Sequence, residues 1–296
     1  MNLKEFTKKV EKAAGEVLGD EYQIRSQEVL KNNETRLMGL MIQKGDQNVA
    51  PTIYLDGYHV RYEEGETFGD VMNSILADYH RGAVSSDVDI SFFEHFEKVK
   101  DRICFRLINT ERNRVLLEDV PNVPFLDLSI VFFYAYHGEE IGDGSILIHN
   151  NHMEKWQTST GELMKLALEN TPRLFGGTAM SMLETMREMV GDMEELLEDA
   201  ENSPMTVISN HQRVNGAGVI LYPHVLEEVA RKAGGNLYVL PSSVHEMIVL
   251  PESQVPDADF LRNLVSEVNR TQVDAPEVLS DTLYYFNLED GKVSIA

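Results

Sequence analysis

The stretch Gly234–Pro251, GGNLYVLPSSVHEMIVLP, decides how the chain is read. Leu237 to Leu240 and Val244 to Leu250 are short apolar runs rich in β-branched residues. Pro241, Ser242 and Ser243 between them carry turn chemistry, which predicts a β-hairpin that Pro251 closes. Side chains alternate along a regular strand, so His245, Met247 and Val249 are expected on one face and Val244, Glu246, Ile248 and Leu250 on the other. Ser243 and His245 then share a side, where a serine activated by a histidine would make a nucleophile. The candidate catalytic residues are therefore Ser242, Ser243 and His245. No Gly-x-Ser-x-Gly elbow accompanies them, and a turn whose histidine is satisfied within the sheet is the plainer reading.

Outward from the hairpin, Pro223–Ala233 reads as a helix closed by Gly234, preceded by a strand at Met205–Ile208. Asp257–Arg270 reads as a second helix, and Leu283–Leu288 with Lys292–Ile295 as a closing hairpin. Strands broken up by helices in this order predict an α+β fold, a mixed β-sheet with helices packed on it. Upstream, an amphipathic helix at Asn2–Leu18, a hairpin of Tyr22–Leu30 and Thr35–Gln43, a short strand at Thr52–Leu55 and a helix at Thr67–His80 form an N-terminal helix-and-hairpin lobe. Small polar residues at 81–88 place a boundary there. A lobe of residues 1–100 and a domain of residues 101–296 are expected, the lobe ending in a helix at Asp89–Lys100.

Within the domain, Arg102–Ile108 alternates as a strand with Cys104 between two arginines, a setting that could lower a thiol pKa, although core packing is the simpler role. Strands at Ser129–Tyr136 and Ser145–His149 flank an acidic turn. His137, Glu139, Glu140, His149 and His152 near it are metal-ligand types without a known metal spacing, so no metal or other cofactor is expected. Ser159 and Glu162 have capping-box spacing and start a helix that should stop before Pro172, with Trp156 packing it onto the sheet. Asn215-Gly216-Ala217-Gly218 lacks the rest of a phosphate-binding pattern and reads as a flexible loop.

The chain is acidic, with 49 Asp and Glu against 26 Lys and Arg and a formal charge of −23. That argues against binding a nucleic-acid backbone or an anionic membrane surface. With one cysteine, no apolar run of membrane-spanning length and no signal-peptide core at the N-terminus, the sequence is expected to be cytoplasmic. From Glu184 to Glu201 eight acidic residues face Arg187 alone. Met182, Met186, Met189 and Met193 recur there at helical spacing in a helix expected over Met180–Ala200. With Glu194 and Glu195 they form a candidate binding surface for a protein partner that carries basic and apolar patches. Two other readings accompany it: a hydrolase using the Ser-His pair at the 241–245 turn, and an acidic mimic of nucleic acid.

Several stretches carry a resemblance. They are RLINTERNRVLLEDVPNVPFLDLSIVFF from Arg106, ALENTPRLF from Ala167, GAGVILYPHVLEEVA from Gly216, LYVLPSSVHEMIVLP from Leu237, and EVNRTQV with EVLSDTLYYF near the end. In these the chain resembles a domain-of-unknown-function family of clostridial and related gut Firmicutes. ILIHNNHMEKWQTSTGELMKLALENT and the Leu237 hairpin are similar to a second such family. The resemblance implies a shared fold and no activity or catalytic residue. Members encoded in mobile or conjugative regions imply interaction rather than metabolism.

Overall fold

The computed structural model describes residues 1–83, 89, 91–138, 142–190 and 203–296, the side chains of Met189 and Val190 excepted. The chain divides into two compact units, one of Met1–Phe92 with His137–Gly144, the other of Phe93–Tyr136 with Ser145–Ala296.

In the first unit, helix α1 (Leu3–Leu18) starts in a reciprocal cap between Asn2 and Glu5, and buries Phe6, Val10 and Ala14 at four-residue intervals. Strands β1 (Tyr22–Leu30), β2 (Arg36–Lys44) and β3 (Thr52–Tyr54) form an antiparallel sheet in that order. Glu11 of α1 accepts both the backbone N–H and the hydroxyl of Ser26, fixing the helix over β1. Helix α2 (Asp56–Glu63) follows β3 without a counterpart in the apolar pattern, and the Asp56 carboxylate accepts the Met38 N–H at 2.8 Å. Helix α3 (Phe68–Gly82), capped by Thr67, adds Val71 and Ile75 to a core shared with Leu40, Ile42 and Leu55.

The single helix expected at Asp89–Lys100, which spans the boundary of the two units, is broken. A 3-10 turn at Ser91–Glu94 leads through extended His95 into α4 (Phe96–Val99) and a further 3-10 turn at Lys100–Arg102. The Trp156 indole N–H donates to the Phe93 carbonyl at 2.9 Å, an acceptor that an unbroken helix would have used internally. Strands β4 (Ile103–Asn109), β5 (Asn122–Phe125), β6 (Leu128–Gly138) and β7 (Gly142–Leu147) form one sheet around β6, with α5 (Arg114–Asp119) between β4 and β5.

Helix α6 (Asn150–Trp156) precedes α7 (Thr160–Phe175), which runs through Pro172 instead of stopping before it. Thr171, just before the proline, ties this end of the helix to the neighbouring strand. Its hydroxyl donates to the Ala167 carbonyl at 2.6 Å and accepts the Phe105 N–H at 3.0 Å, while Asn170 donates to the Ile103 carbonyl. These two side chains satisfy edge groups of β4 that another strand would otherwise seek.

The second sheet runs β13-β12-β10-β11-β9-β8. Its strands are β8 (Thr178–Ser181), β9 (Thr206–Ser209), β10 (Leu237–Pro241), β11 (Met247–Pro251), β12 (Tyr284–Asn287) and β13 (Lys292–Ile295). Helix α8 (Met182–Val190) follows β8, α9 (Val225–Ala233) precedes β10, and α10 (Ala258–Thr271) lies between β11 and β12. The fold is α+β. The pairings within this sheet are antiparallel, so the mixed sheet expected from the alternation of strands and helices resolves into hairpins and antiparallel returns. Among the described residues no helix is long and apolar enough to cross a membrane.

Candidate functional site

The β10–β11 hairpin pairs Leu237 with Pro251 and Pro241 with Met247, which leaves Ser242 to Glu246 as its connection. His245 therefore lies in the turn, not on the second strand, and the alternation expected to align it with Met247 does not extend to it. The turn backbone is engaged elsewhere: the Ser243 N–H reaches the Glu246 carbonyl at 3.3 Å and the Val244 N–H the Glu277 carbonyl at 2.8 Å.

Each side chain of the expected Ser-His pair has its own partner. The Ser243 hydroxyl accepts the backbone N–H of His245 at 3.1 Å, a local turn closure, and the Ser242 hydroxyl donates to Glu246 at 3.4 Å. His245 Nδ1 accepts the Asn215 N–H at 3.2 Å, and Nε2 lies 3.5 Å from Glu277 Oε1. In the neutral ring this places the proton on Nε2, toward the carboxylate, and commits the basic nitrogen to a backbone amide. Among the described residues no hydrogen bond joins the imidazole to either serine hydroxyl. The arrangement orients a histidine without presenting it to a nucleophile.

The loop facing this turn is buried and packed where a flexible loop was expected. Gly216–Leu221 forms a 3-10 segment whose first five residues are buried, and it packs on both β4 and β9. A Cβ on Gly216 would fall 2.1 Å from Ser209 Oγ and 2.4 Å from the His245 carbonyl oxygen, and one on Gly218 would meet the Phe105 ring at 3.0 Å. The glycines permit close backbone approach to neighbouring chain, not to a phosphate.

Of the candidate binding surface, α8 carries Met182 and Met186 one turn apart, both half-buried beside half-buried Leu183. Ser181 and Glu184 cap it reciprocally, and Arg213 pairs with Glu188 at 2.5 Å. The Met189 side chain and all of Met193, Glu194 and Glu195 lie outside the described residues.

Cys104 is fully buried, and burial pushes its thiol up to about 12 against the weaker opposing pull of Thr171, Arg102 and Arg173. It is a core residue, not a reactive one. His149 Nδ1 meets Asp119 Oδ2 at 2.6 Å, and the His152 ring accepts the His149 N–H at 3.0 Å and stacks on Trp156. Burial, then His149 and Lys155, hold the His152 pKa below its ordinary value, so the ring serves as a neutral cap for α6. Among the described residues no group of three or more His, Cys, Asp or Glu is placed to hold a metal ion; Glu139 and Glu140 lie outside them.

One polar cluster carried no signal in the sequence. Asp127 accepts hydroxyls from Ser280 at 2.5 Å, Thr282 at 3.0 Å and Tyr284 at 2.7 Å. Asn109 and Asn269 extend it, donating to the Leu279 and Ser280 carbonyls. Asp127 follows Leu126, whose positive φ marks a tight turn, and its partners lie more than 150 positions away, beyond any local pattern.

A model of a family of unknown function, DUF5688, matches residues 3–288. The chain belongs to that family. The match takes in both units, so the DUF5688 fold includes the N-terminal sheet as well as the β10–β11 hairpin. No curated protein and no solved structure matches this DUF5688 chain.

Proposed function

We propose that this protein acts by binding a protein partner that carries basic and apolar patches, in the cytoplasm. The observation that carries the reading is α8, a capped helix that leaves Met182, Leu183 and Met186 only half-buried at the start of the most acidic stretch of a chain with net charge −23. Methionine side chains adapt to varied apolar surfaces, and surrounding carboxylates would steer a cationic partner and set the salt dependence of its binding. The turn at Ser242, Ser243 and His245 supports the same choice, since its imidazole is committed to Asn215 and Glu277.

The test is affinity capture with the full chain, followed by titration of the recovered partner at rising ionic strength. Binding should weaken as salt rises, and Met182→Ser with Met186→Ser should weaken it about tenfold without loss of fold. Failure to recover any partner, or a recovered partner indifferent to both salt and the double variant, overturns the reading.

A further inference from the structure

Strand β4 reads Ile103-Cys104-Phe105-Arg106-Leu107-Ile108-Asn109, and every residue in it except Arg106 is buried. Arg106 shares its sheet face with Cys104 and Ile108, and opposite these on β6 stand Phe133, Val131 and Ser129. Cys104 and Phe133 belong to an apolar cluster with Leu174 and Phe175; Ile108 and Val131 belong to a second with Val120 and Leu147. The arginine therefore emerges between two apolar walls.

Its Nε is sealed from solvent and has no hydrogen-bond partner, while the residue as a whole is only half-buried. Among the described residues no carboxylate pairs with it, and burial alone acts on its acidity, lowering its pKa. Other arginines find acceptors: Arg61, Arg112, Arg213 and Arg262 each meet a carboxylate, and Arg102 and Arg173 donate to the backbone carbonyls of Ala135 and Asp101. In a chain with 49 acidic residues, none of those described is spent on this guanidinium, although an unpaired charge is most costly where water is excluded. Selection for stability alone would have paired it or replaced it.

We propose that Arg106 anchors a binding site for an organic monocarboxylate, whose oxygens accept from the guanidinium N–H groups and whose apolar body lies along the partly buried rims of the two clusters, Leu174 and Phe175 beside Cys104 and Leu147 beside Ile108. The planar fork matches a carboxylate, and partial desolvation strengthens the contact. Phosphate offers the same oxyanion chemistry, but the apolar walls and the charge of −23 favour a singly charged ligand with a hydrocarbon body. The proposal is independent of the partner reading at α8.

Thermal melts of the full chain with octanoate, benzoate, inorganic phosphate and a chloride control test it. A carboxylate should raise the melting temperature by about 5 °C at a hundredfold excess over its dissociation constant, and phosphate and chloride should not. Arg106→Met should melt no lower than wild type without ligand and should lose the carboxylate shift. Arg106→Lys keeps the charge without the fork, should bind about tenfold more weakly, and carries the test if the methionine variant does not fold. An equal shift in the variants, a shift with phosphate but neither carboxylate, or no saturable binding to wild type each overturns the proposal.

Discussion

At the scale of single residues, Gly216 is the position where the backbone has least room. Gly216→Ala forces a methyl into Ser209, the His245 carbonyl and the Asn210 amide, and should cost about 3 kcal/mol in urea denaturation. An unchanged midpoint would show that the segment can shift. Tyr284 supplies a second prediction. Burial, reinforced by Asp127, raises its pKa above the ordinary 10.0. The neutral phenol is then favoured in the folded state, so its contribution is complete below the unfolded-state pKa and is lost as pH climbs from there through the folded value. Alkaline titration followed at the phenolate absorbance should show Tyr284 ionising only as the protein unfolds, and Tyr284→Phe should remove that part of the alkaline transition. Little of this was legible beforehand. The dipeptide Asn215-Gly216 advertises a turn, but whether its glycine spares a ligand or a neighbouring strand depends on residues 30 positions away, such as His245. Arg106 was visible only as one of two arginines flanking Cys104 on an expected strand; its isolation from every described carboxylate was not.

At the scale of elements, periodicity placed most helices and strands because burial on one face imposes it. α1, β1, β10 and α10 lie within a residue or two of where their apolar patterns put them. The misses share a physical cause, a local preference overridden by a distant hydrogen bond. The helix expected at Asp89–Lys100 gives way where Trp156 claims the Phe93 carbonyl, and α7 continues past Pro172 with Thr171 bonded both to its own helix and to the edge of β4. Thr171→Val keeps the shape and deletes both bonds. It leaves the buried Phe105 amide unsatisfied and should destabilise the second unit by about 2 kcal/mol in chemical denaturation. A valine variant as stable as wild type would mean that the Phe105 amide finds another acceptor. The candidate site depended on an element boundary too, since β11 begins only at Met247 and so leaves His245 in the turn instead of on the strand.

At the scale of the whole molecule, net charge governs behaviour more than any one pair. With a formal charge of −23 the protein should gain thermal stability as salt rises from low values, because screening relieves repulsion among its own carboxylates. Melts across ionic strength check this, and a melting temperature that falls with salt would mean that attraction within ion pairs outweighs that repulsion.

The carboxylate of Asp127 also constrains the order in which the molecule can be made. Its hydroxyl partners at Ser280, Thr282 and Tyr284 are 153, 155 and 157 positions downstream, so a chain emerging from the ribosome carries that acid without its partners until those residues have followed it. Contacts so remote in sequence slow the search for the native state. The second unit is thus obliged to mature late, and a premature stop before Tyr284 should yield an aggregating product rather than a shorter working one.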